Sequence, residues 1–283
     1  MEQFQIKAMI EDEMEKIGLQ SKPAFTNDAG EECCEFCQKP LPRHVHELFG
    51  KVRDFGSSHC KCPEAVKHKE KYDKELQRRM DEYDAAEHRH QIRQLIKQSM
   101  IPARWLERDF ERFKVIDENR KAYEFALEYA NTFSPSNGRG ILLSGPVGVG
   151  KTHLAAAISL KLLEQEFRIV FGTVTSLLGQ IRHTFDDSKE READVFNRLT
   201  QCDLLVIDDI GKEKVTEWTE QTLFEIINSR YENNRSLVLT SNVSIADIRK
   251  RYQNVGDALT SRLLEMCQGI KMDGSDWRKK AVV

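Results

Sequence analysis

The segment Gly145-Pro-Val-Gly-Val-Gly-Lys-Thr152 is the strongest indication of the fold class, because it matches the phosphate-loop pattern G-x-x-x-x-G-K-[ST]. Its glycines let the backbone turn with N–H groups facing an anion, and its lysine supplies a cation for the β- and γ-phosphates. An apolar run precedes the motif, and a helix follows whose N-terminal dipole favours anions. We therefore predict that eight residues bind a nucleotide: Gly145, Pro146, Val147, Gly148, Val149, Gly150, Lys151 and Thr152.

Short apolar runs alternate with helical segments on both sides of this loop. Strands are predicted at 140–144, 168–173, 204–207 and 236–240. Helices are predicted at 152–165, 176–185, 192–200 and 218–233. Strands that are apolar along their whole length are typical of a parallel sheet buried on both faces. With right-handed crossovers, the pattern predicts an α/β fold, a doubly wound parallel sheet sandwiched by helices.

Polar residues follow two of the predicted strands. Leu204-Leu-Val-Ile-Asp-Asp209 ends in two carboxylates, at the sheet edge where ligands bind in open α/β folds. We expect Thr152 and Asp208 to hold Mg²⁺ and Asp209 to orient or deprotonate the attacking water. Asn242, at the end of the strand 236–240, is a candidate contact for the γ-phosphate or that water. The alternative is that the two acids cap a turn and that Asn242 forms one.

Composition and charge exclude several classes of protein. The chain has 283 residues, with 43 Lys and Arg against 46 Asp and Glu and a net charge of −3. This balance excludes a globally basic, histone-like DNA binder but leaves room for a local basic groove. No apolar stretch approaches the length of a membrane span, and the N-terminus lacks the features of a secretory signal. We therefore expect a cytoplasmic protein with no membrane partner.

Five of the seven cysteines lie between Cys33 and Cys62, in a loop-rich stretch with little periodicity. The pairs Cys34-x-x-Cys37 and Cys60-x-Cys62 can each supply two ligands to a tetrahedral Zn²⁺, which would fold a segment too small to have its own core. The second spacing is tighter than the usual one, so the ligand set stays open. Four neighbouring residues are possible substitutes: Cys33, His44, His46 and His59. Free thiols are the alternative.

The region 64–97 has no proline or glycine and is dense in charge, which predicts a helix. One narrow apolar stripe runs along it: Tyr72, Leu76, Met80 and Tyr83. We interpret it as a solvated linker helix, with a coiled-coil or partner-binding helix as the alternative. A short amphipathic helix is predicted near the N-terminus from Met9, Ile10, Met14 and Ile17.

Several motifs together resemble one family. They are Gly-Pro-Val-Gly-Val-Gly-Lys-Thr-His-Leu-Ala, Leu-Leu-Val-Ile-Asp-Asp-Ile-Gly, Thr-Ser-Asn and Ser-Arg-Leu-Leu-Glu. They resemble the AAA+ ATPases of the DnaC/DnaI helicase-loader type, a clade that includes the transposition helper IstB. The segment Ile101-Pro-Ala-Arg-Trp105 is similar to the family's lead-in to the ATPase core. The resemblance covers about residues 100–280, and the motif combination is more specific than the phosphate loop alone.

The resemblance implies binding of ATP or ADP, assembly side by side, a grip on single-stranded DNA and delivery of a hexameric replicative helicase. It implies that Arg262 is an arginine finger acting on a neighbour's ATP, and that Arg278 approaches the nucleotide. Basic candidates for a DNA channel are Lys212, Lys214, Arg249, Lys250 and Arg251, for which a solvated face is the alternative. Loaders of the DnaI type also carry an N-terminal zinc domain that contacts the helicase.

Three domains are expected on these grounds. They are a zinc-binding, helicase-interaction domain at 1–63, a charged helical linker at 64–100 and an AAA+ ATPase domain at 101–283. The leading function is helicase loading in a bacterial or phage-infected cell, with hydrolysis slow without a partner because Asp209 is shorter than the usual glutamate base. The alternatives are an IstB-like ATPase regulating DNA transposition and a ClpX-like unfoldase. The unfoldase would need an aromatic pore loop and a lid, and we expect the chain to be short of both.

Overall fold

Residues 3–48, 51–183 and 191–277 are described by a computed structural model of the chain. Its internal contacts separate two units, Met1–Arg89 and His90–Val283. The division falls inside one long helix, whereas the sequence places boundaries at 63/64 and 100/101. Those domain boundaries stay predictions. No helix among the described residues is long and apolar enough to span a membrane.

The first unit contains two helices and two small antiparallel sheets. Its elements are α1 (Gln3–Lys16), β1 (Ala24–Thr26), β2 (Glu32–Cys34), β3 (Arg43–Leu48), β4 (Lys51–Ser57) and the start of α2 (Pro63–Ser99). Strand β1 pairs with β2, and β3 pairs with β4. The hairpin of β3 and β4 was not predicted from the sequence, because its residues lack the strict alternation of apolar and polar side chains that marks a half-buried strand.

Helix α1 covers the apolar stripe of α2. Ile10 and Met14 of α1 are buried in one cluster with Tyr72 and Leu76 of α2. The cluster continues at its edges through Ile6, Leu19, Met80 and Tyr83. The interpretation of this region as a solvated linker helix stays a prediction, while its apolar stripe packs against α1 within the first unit. Its other residues over 63–89 are mostly exposed and charged.

The second unit is an α/β domain. A 3₁₀ turn, Ala103–Trp105, is followed by these elements: α3 (Asp117–Asn131), β5 (Gly140–Ser144), α4 (Lys151–Glu164), β6 (Ile169–Thr173), α5 (Val174–His183), α6 (Glu192–Gln201), β7 (Leu204–Ile210), α7 (Glu217–Glu232), β8 (Ser236–Ser241), α8 (Ile245–Arg251), α9 (Gly256–Met266) and β9 (Cys267–Lys271). All four predicted strands and all four predicted helices are present, within a few residues. The fifth strand, β9, was missed because Cys-Gln-Gly-Ile-Lys has no apolar run.

The five strands form one parallel sheet in the order β6-β7-β8-β5-β9. Strand β5, which leads into the phosphate loop, lies between β8 and β9. Strand β7 pairs with the other side of β8. The carboxyl ends of β5, β7 and β8 therefore meet at one edge, which is where open α/β sheets bind ligands.

Apolar clusters cover both faces of this sheet, as alternation along the strands requires. Ile141 and Leu143 of β5 point into a cluster with α3 and α4. Leu142 points to the other face, into a cluster with α5, α6, α7 and α9. The predicted fold class, a parallel sheet sandwiched by helices, is thus confirmed.

Candidate nucleotide-binding site

The phosphate loop has the backbone that its glycines predict. Gly148 and Gly150 have φ angles of +85° and +104°, in the left-handed region that side chains disfavour. Helix α4 begins at Lys151, so its N-terminus faces the loop. A side chain at Gly148 would also overlap the carboxylate of Asp276, which lies against the loop. The loop conformation therefore depends on glycine for both backbone and spatial reasons.

Lys151 is the buried cation of the loop, with 6% of its surface exposed. Its ammonium donates hydrogen bonds to the carbonyl oxygens of Gly145 and Pro146, at 2.8 and 2.6 Å. It also donates to the side-chain oxygen of Asn242 at 2.7 Å. A buried ammonium needs such acceptors or an anion, and it can exchange them for phosphate oxygens.

Asp208, at the carboxyl end of β7, lies beside the hydroxyl of Thr152. The Thr152 hydroxyl donates to Asp208 Oδ1 at 2.8 Å, and the Thr240 hydroxyl donates to the same oxygen at 2.6 Å. Burial raises the pKa of the Asp208 carboxyl above its usual range. A carboxylate and a hydroxyl are oxygen ligands of the kind Mg²⁺ prefers, so the pair fits the predicted metal site. A cation would also relieve the cost of burying the Asp208 charge.

The backbone conformation at position 209 explains why this residue is an aspartate and not the longer glutamate. Its φ is +63°, and its backbone N–H donates to the Thr240 hydroxyl at 2.8 Å. Aspartate and asparagine tolerate the left-handed region better than longer side chains, so a glutamate here would be strained. The Asp209 carboxylate accepts hydrogen bonds from the amide of Asn242 and the ammonium of Lys212. Its position beside the loop suits the predicted contact with attacking water.

Asn242 connects the phosphate lysine to the candidate base. Its side-chain oxygen accepts from Lys151, and its side-chain nitrogen donates to Asp209. It follows directly after β8, which ends at Ser241. The structure therefore brings Lys151, Asn242 and Asp209 together in one hydrogen-bonded row, as the sequence-based expectation of a shared sheet edge requires.

A cavity of about 430 Å³ opens at this edge, within the size range of small-molecule sites. Predicted site residues line it, among them Lys151, Thr152, Asp209 and Asn242. Four further lining residues were not singled out from the sequence: Trp105, Arg108, His153 and Trp277. His153 directly follows the loop residue Thr152, whereas Trp105, Arg108 and Trp277 reach the cavity because the segments before β5 and after β9 lie next to the loop.

His153 is fixed at the wall of this cavity. Its Nε2 lies 2.8 Å from the carbonyl oxygen of Asp109, and its ring meets that of Phe113 edge to face. Burial lowers the pKa of the His153 imidazole, which keeps the ring neutral near pH 7. Next to a neutral ring, the positive charge at the cavity comes from side chains such as Arg108, Lys151 and Lys212.

Arg262 does not line the cavity. It lies on α9, where its guanidinium bonds to the side chain of Asn228 and the carbonyl oxygen of Ala258. Its guanidinium carbon also lies 4.8 Å from the ring centroid of Phe224 and 5.6 Å from that of Tyr231. The role of arginine finger stays a prediction. Arg278, the other predicted nucleotide contact, lies outside the described residues.

The five basic candidates for a DNA channel have different surroundings. Lys212 pairs with Asp209, Arg249 pairs with Asp257, and Arg251 donates to the carbonyl oxygen of Glu213 at 2.6 Å. Lys214 and Lys250 are exposed, and neither has an ion pair within the described part of the chain. Three of the five candidates thus already bind groups of the chain itself.

The four cysteine sulfurs predicted to bind zinc converge in the first unit. Those of Cys34, Cys37, Cys60 and Cys62 all lie within 4.8 Å of one another. The Cys34–Cys62 and Cys37–Cys60 sulfurs are 4.0 and 3.4 Å apart. A tetrahedral Zn²⁺ with Zn–S bonds of 2.3 Å needs sulfurs about 3.8 Å apart, so the thiols fit this metal.

The thiol cluster is placed by the ends of two elements. Cys34 ends β2, and Cys62 directly precedes α2. A hydrogen bond from the backbone of Lys39, and then the neighbouring thiol of Cys60, lower the pKa of Cys37 to about 7. The possible substitutes considered from the sequence lie outside the cluster, namely Cys33, His44, His46 and His59.

The fold and this site define a P-loop ATPase of the AAA+ class. The chain belongs to the family of IstB-like ATP-binding proteins, whose sequence pattern matches residues 59–282. It is 29% identical over 206 residues to a putative insertion sequence ATP-binding protein of Sinorhizobium fredii, covering 71% of this chain and 67% of that one. It is 30% identical over 142 residues to the replicative helicase loader DnaC of Escherichia coli, covering 50% and 58%.

Solved structures show the same fold at low sequence identity. The crystal structure of the DnaC helicase loader superposes with a TM-score of 0.55 and 23% identity, covering 61% of this chain and all of that one. The crystal structure of DnaI gives 0.52 and 21%, covering 62% and 94%. The expected membership of the DnaC/DnaI and IstB clade is confirmed.

Proposed function

We propose that this ATPase loads a hexameric replicative helicase onto single-stranded DNA, in the cytoplasm of a bacterium or a phage-infected cell. The observation that carries the proposal is the four-thiol cluster of Cys34, Cys37, Cys60 and Cys62 on a chain whose ATPase unit has the DnaC fold. A chain that contains both a metal-organised recognition unit and a nucleotide-driven unit is suited to bind a partner and to release it when the nucleotide state changes.

The nucleotide site supplies the proposed switch. The loop N–H groups and Lys151 bind the triphosphate, while Thr152 and Asp208 hold Mg²⁺, which would neutralise charge developing on the phosphates. Asp209 accepts the proton of the attacking water, and Asn242 orients that water or the γ-phosphate. Arg262, held away from its own cavity, acts on the ATP of a neighbouring copy.

Co-purification with the helicase tests the loader proposal. The tagged full-length chain is mixed with the replicative helicase of its host in ATP and in ADP. We expect a stable complex in at least one nucleotide state and its loss in Cys34→Ser. The matched control, Cys33→Ser, changes a buried cysteine outside the thiol cluster and should keep the complex. Absence of a complex in both nucleotides would refute helicase loading.

A second candidate is an ATPase that regulates DNA transposition. It is favoured by the insertion-sequence relative, whose similarity extends over 71% of this chain against 50% for DnaC. Such a protein should bind duplex DNA and form long ATP-dependent filaments on it. Electron microscopy with duplex and single-stranded DNA of equal length separates the two candidates, because filaments on duplex alone would support transposition.

A further inference from the structure

Strand β7 has a bulge at the position of Asp209. Ile207 of β7 pairs with Leu239 of β8. The next pair joins Ile210 to Ser241, so β7 contains one more residue than β8 between the two pairs. The left-handed φ of Asp209, +63°, falls within this irregular stretch. Bulges next to active sites redirect side chains, and this one places Asp209 at the wall of the cavity.

The bulge is fixed on its β8 side by a threonine. The Thr240 hydroxyl accepts the backbone N–H of Asp209 and donates to the carboxylate of Asp208. A left-handed backbone at a residue other than glycine costs free energy, so it persists only where the surrounding structure holds it. The chain that leaves Asp209 on the other side must therefore be fixed as well.

Glu213 fixes the chain that leaves the bulge. Its Oε2 accepts the backbone N–H of Gly211 at 3.1 Å, and its Oε1 accepts a hydrogen bond from the Tyr252 hydroxyl. Both Glu213 and Tyr252 are buried, at 8% and 0% exposure. Each carboxylate oxygen thus has its own donor, and the side chain spans the gap between Gly211 and Tyr252. Gly211 is only two residues after Asp209.

Tyr252 belongs to a different part of the chain, directly after α8. Burial, and then the charge of Glu213, raise the pKa of the Tyr252 phenol, so its hydroxyl stays protonated and can donate. The segment after β7 and the segment after β8 are therefore joined twice. Asp209 and Asn242 join them at the cavity, and Glu213 and Tyr252 join them at residues that do not line it.

We propose that Glu213 is a positioning residue for ATP hydrolysis, which acts through Gly211 to hold the Asp209 carboxylate toward the attacking water. This role rests on the proposed function of Asp209 as the base. Because Glu213 does not line the cavity, its loss should slow the chemical step and leave nucleotide affinity unchanged. A displacement of about 1 Å at a reacting group can cost up to ~100-fold in rate, so a small shift of the bulge is enough.

Two variants separate the length of Glu213 from its charge. Glu213→Gln keeps the length and can keep both hydrogen bonds, because the Tyr252 hydroxyl can accept from the glutamine amide. Glu213→Asp keeps the charge but is one methylene shorter, so it cannot span Gly211 and Tyr252. We expect Glu213→Asp to slow single-turnover hydrolysis with Mg²⁺ about 10-fold, part of the contribution of a general base, and Glu213→Gln to stay close to wild type.

Tyr252→Phe removes a single hydroxyl and should slow hydrolysis as Glu213→Asp does, so it carries the same comparison if the aspartate variant fails to fold. The matched control is Tyr129→Phe, because the Tyr129 hydroxyl donates to the carbonyl oxygen of Arg139 and does not line the cavity. It should hydrolyse ATP at the wild-type rate. Calorimetry should give the wild-type Kd for ATP in every variant.

A double variant tests whether Glu213 acts through Asp209. Asp209→Asn removes the base, so adding Glu213→Asp to it should slow hydrolysis no further. A merely structural role would slow hydrolysis by the same factor in both backgrounds and would overturn the proposal. Weaker ATP binding by Glu213→Asp and Tyr252→Phe, or wild-type hydrolysis by both, would also overturn it while the role of Asp209 stands. If Asp209→Asn alone hydrolysed ATP at the wild-type rate, the proposed base would fall, and its positioning residue with it.

Discussion

Asp208 and Asp209 are adjacent in the sequence but have opposite surroundings. Asp208 is 8% exposed and accepts two hydroxyl hydrogen bonds on one oxygen, and burial raises the pKa of its carboxyl. Asp209 has a left-handed backbone and contacts an amide and an ammonium. Two carboxylates with different environments can take different roles, as metal ligand and as base.

Replacing Asp208 with asparagine should stabilise the nucleotide-free protein and abolish Mg²⁺-dependent ATP binding. The asparagine oxygen can still accept from Thr152 and Thr240, while the buried charge disappears, so we expect a gain of about 1 kcal/mol in the free energy of unfolding. Because the Asp208 pKa is raised, its charge costs stability above that pKa, and the cost vanishes as pH falls through it. Thermal melts of wild type and variant should therefore converge at acid pH. A less stable variant at pH 7 would contradict this account.

Replacing Asp209 with asparagine should leave ATP binding intact and slow hydrolysis about 100-fold, the usual contribution of a general base. Asparagine adopts the left-handed backbone as readily as aspartate, so the fold is retained. Single-turnover hydrolysis alongside calorimetric binding separates the two effects. Hydrolysis at the wild-type rate would remove Asp209 from the mechanism.

Among the elements, those with a strong local pattern could be predicted from the sequence. The buried strands β5 to β8 appear in the sequence as apolar runs, and the phosphate loop fixes where β5 ends. Strand β9 and the β3–β4 hairpin have no such pattern, because edge and exposed strands bury little apolar surface. Trp105 and Trp277 belong to the cavity through tertiary packing alone, so no local pattern could assign them.

The thiol cluster, which lies between two elements of the first unit, predicts the zinc content of the protein. Purified wild type should contain about one zinc per chain, as a site with four thiolate ligands requires. Cys34→Ser should lose most of the zinc and much of the thermal stability of the first unit, because a metal held by these thiols would link the end of β2 to the start of α2. Cys33→Ser should retain both. Metal analysis and circular dichroism check this, and an equal zinc content in the two variants would contradict it.

For the whole molecule, the proposed role of Arg262 would make hydrolysis depend on a second copy of the chain. We expect Arg262→Ala to bind ATP normally but to hydrolyse it about 10³-fold more slowly. This factor is the lower end of the range of rate losses expected when an arginine finger is removed. Lys151→Ala should not bind nucleotide.

An equal mixture of the two variants should hydrolyse ATP several-fold faster than either alone, since one copy then supplies the loop and the other supplies the arginine. A mixture no more active than its parts, with both variants folded, would show that Arg262 does not act between copies.

The place of β9 beside β5 has a consequence for synthesis of the protein. A nascent chain made only as far as Met266 already has four of the five strands of the parallel sheet, the phosphate loop, Asp208 and Asp209. Yet the loop strand lacks its outer neighbour, and nothing holds the backbone of Ser144 and Gly148 from that side. The phosphate loop is therefore enclosed on this side only after β9 and the segment that follows it have been synthesised.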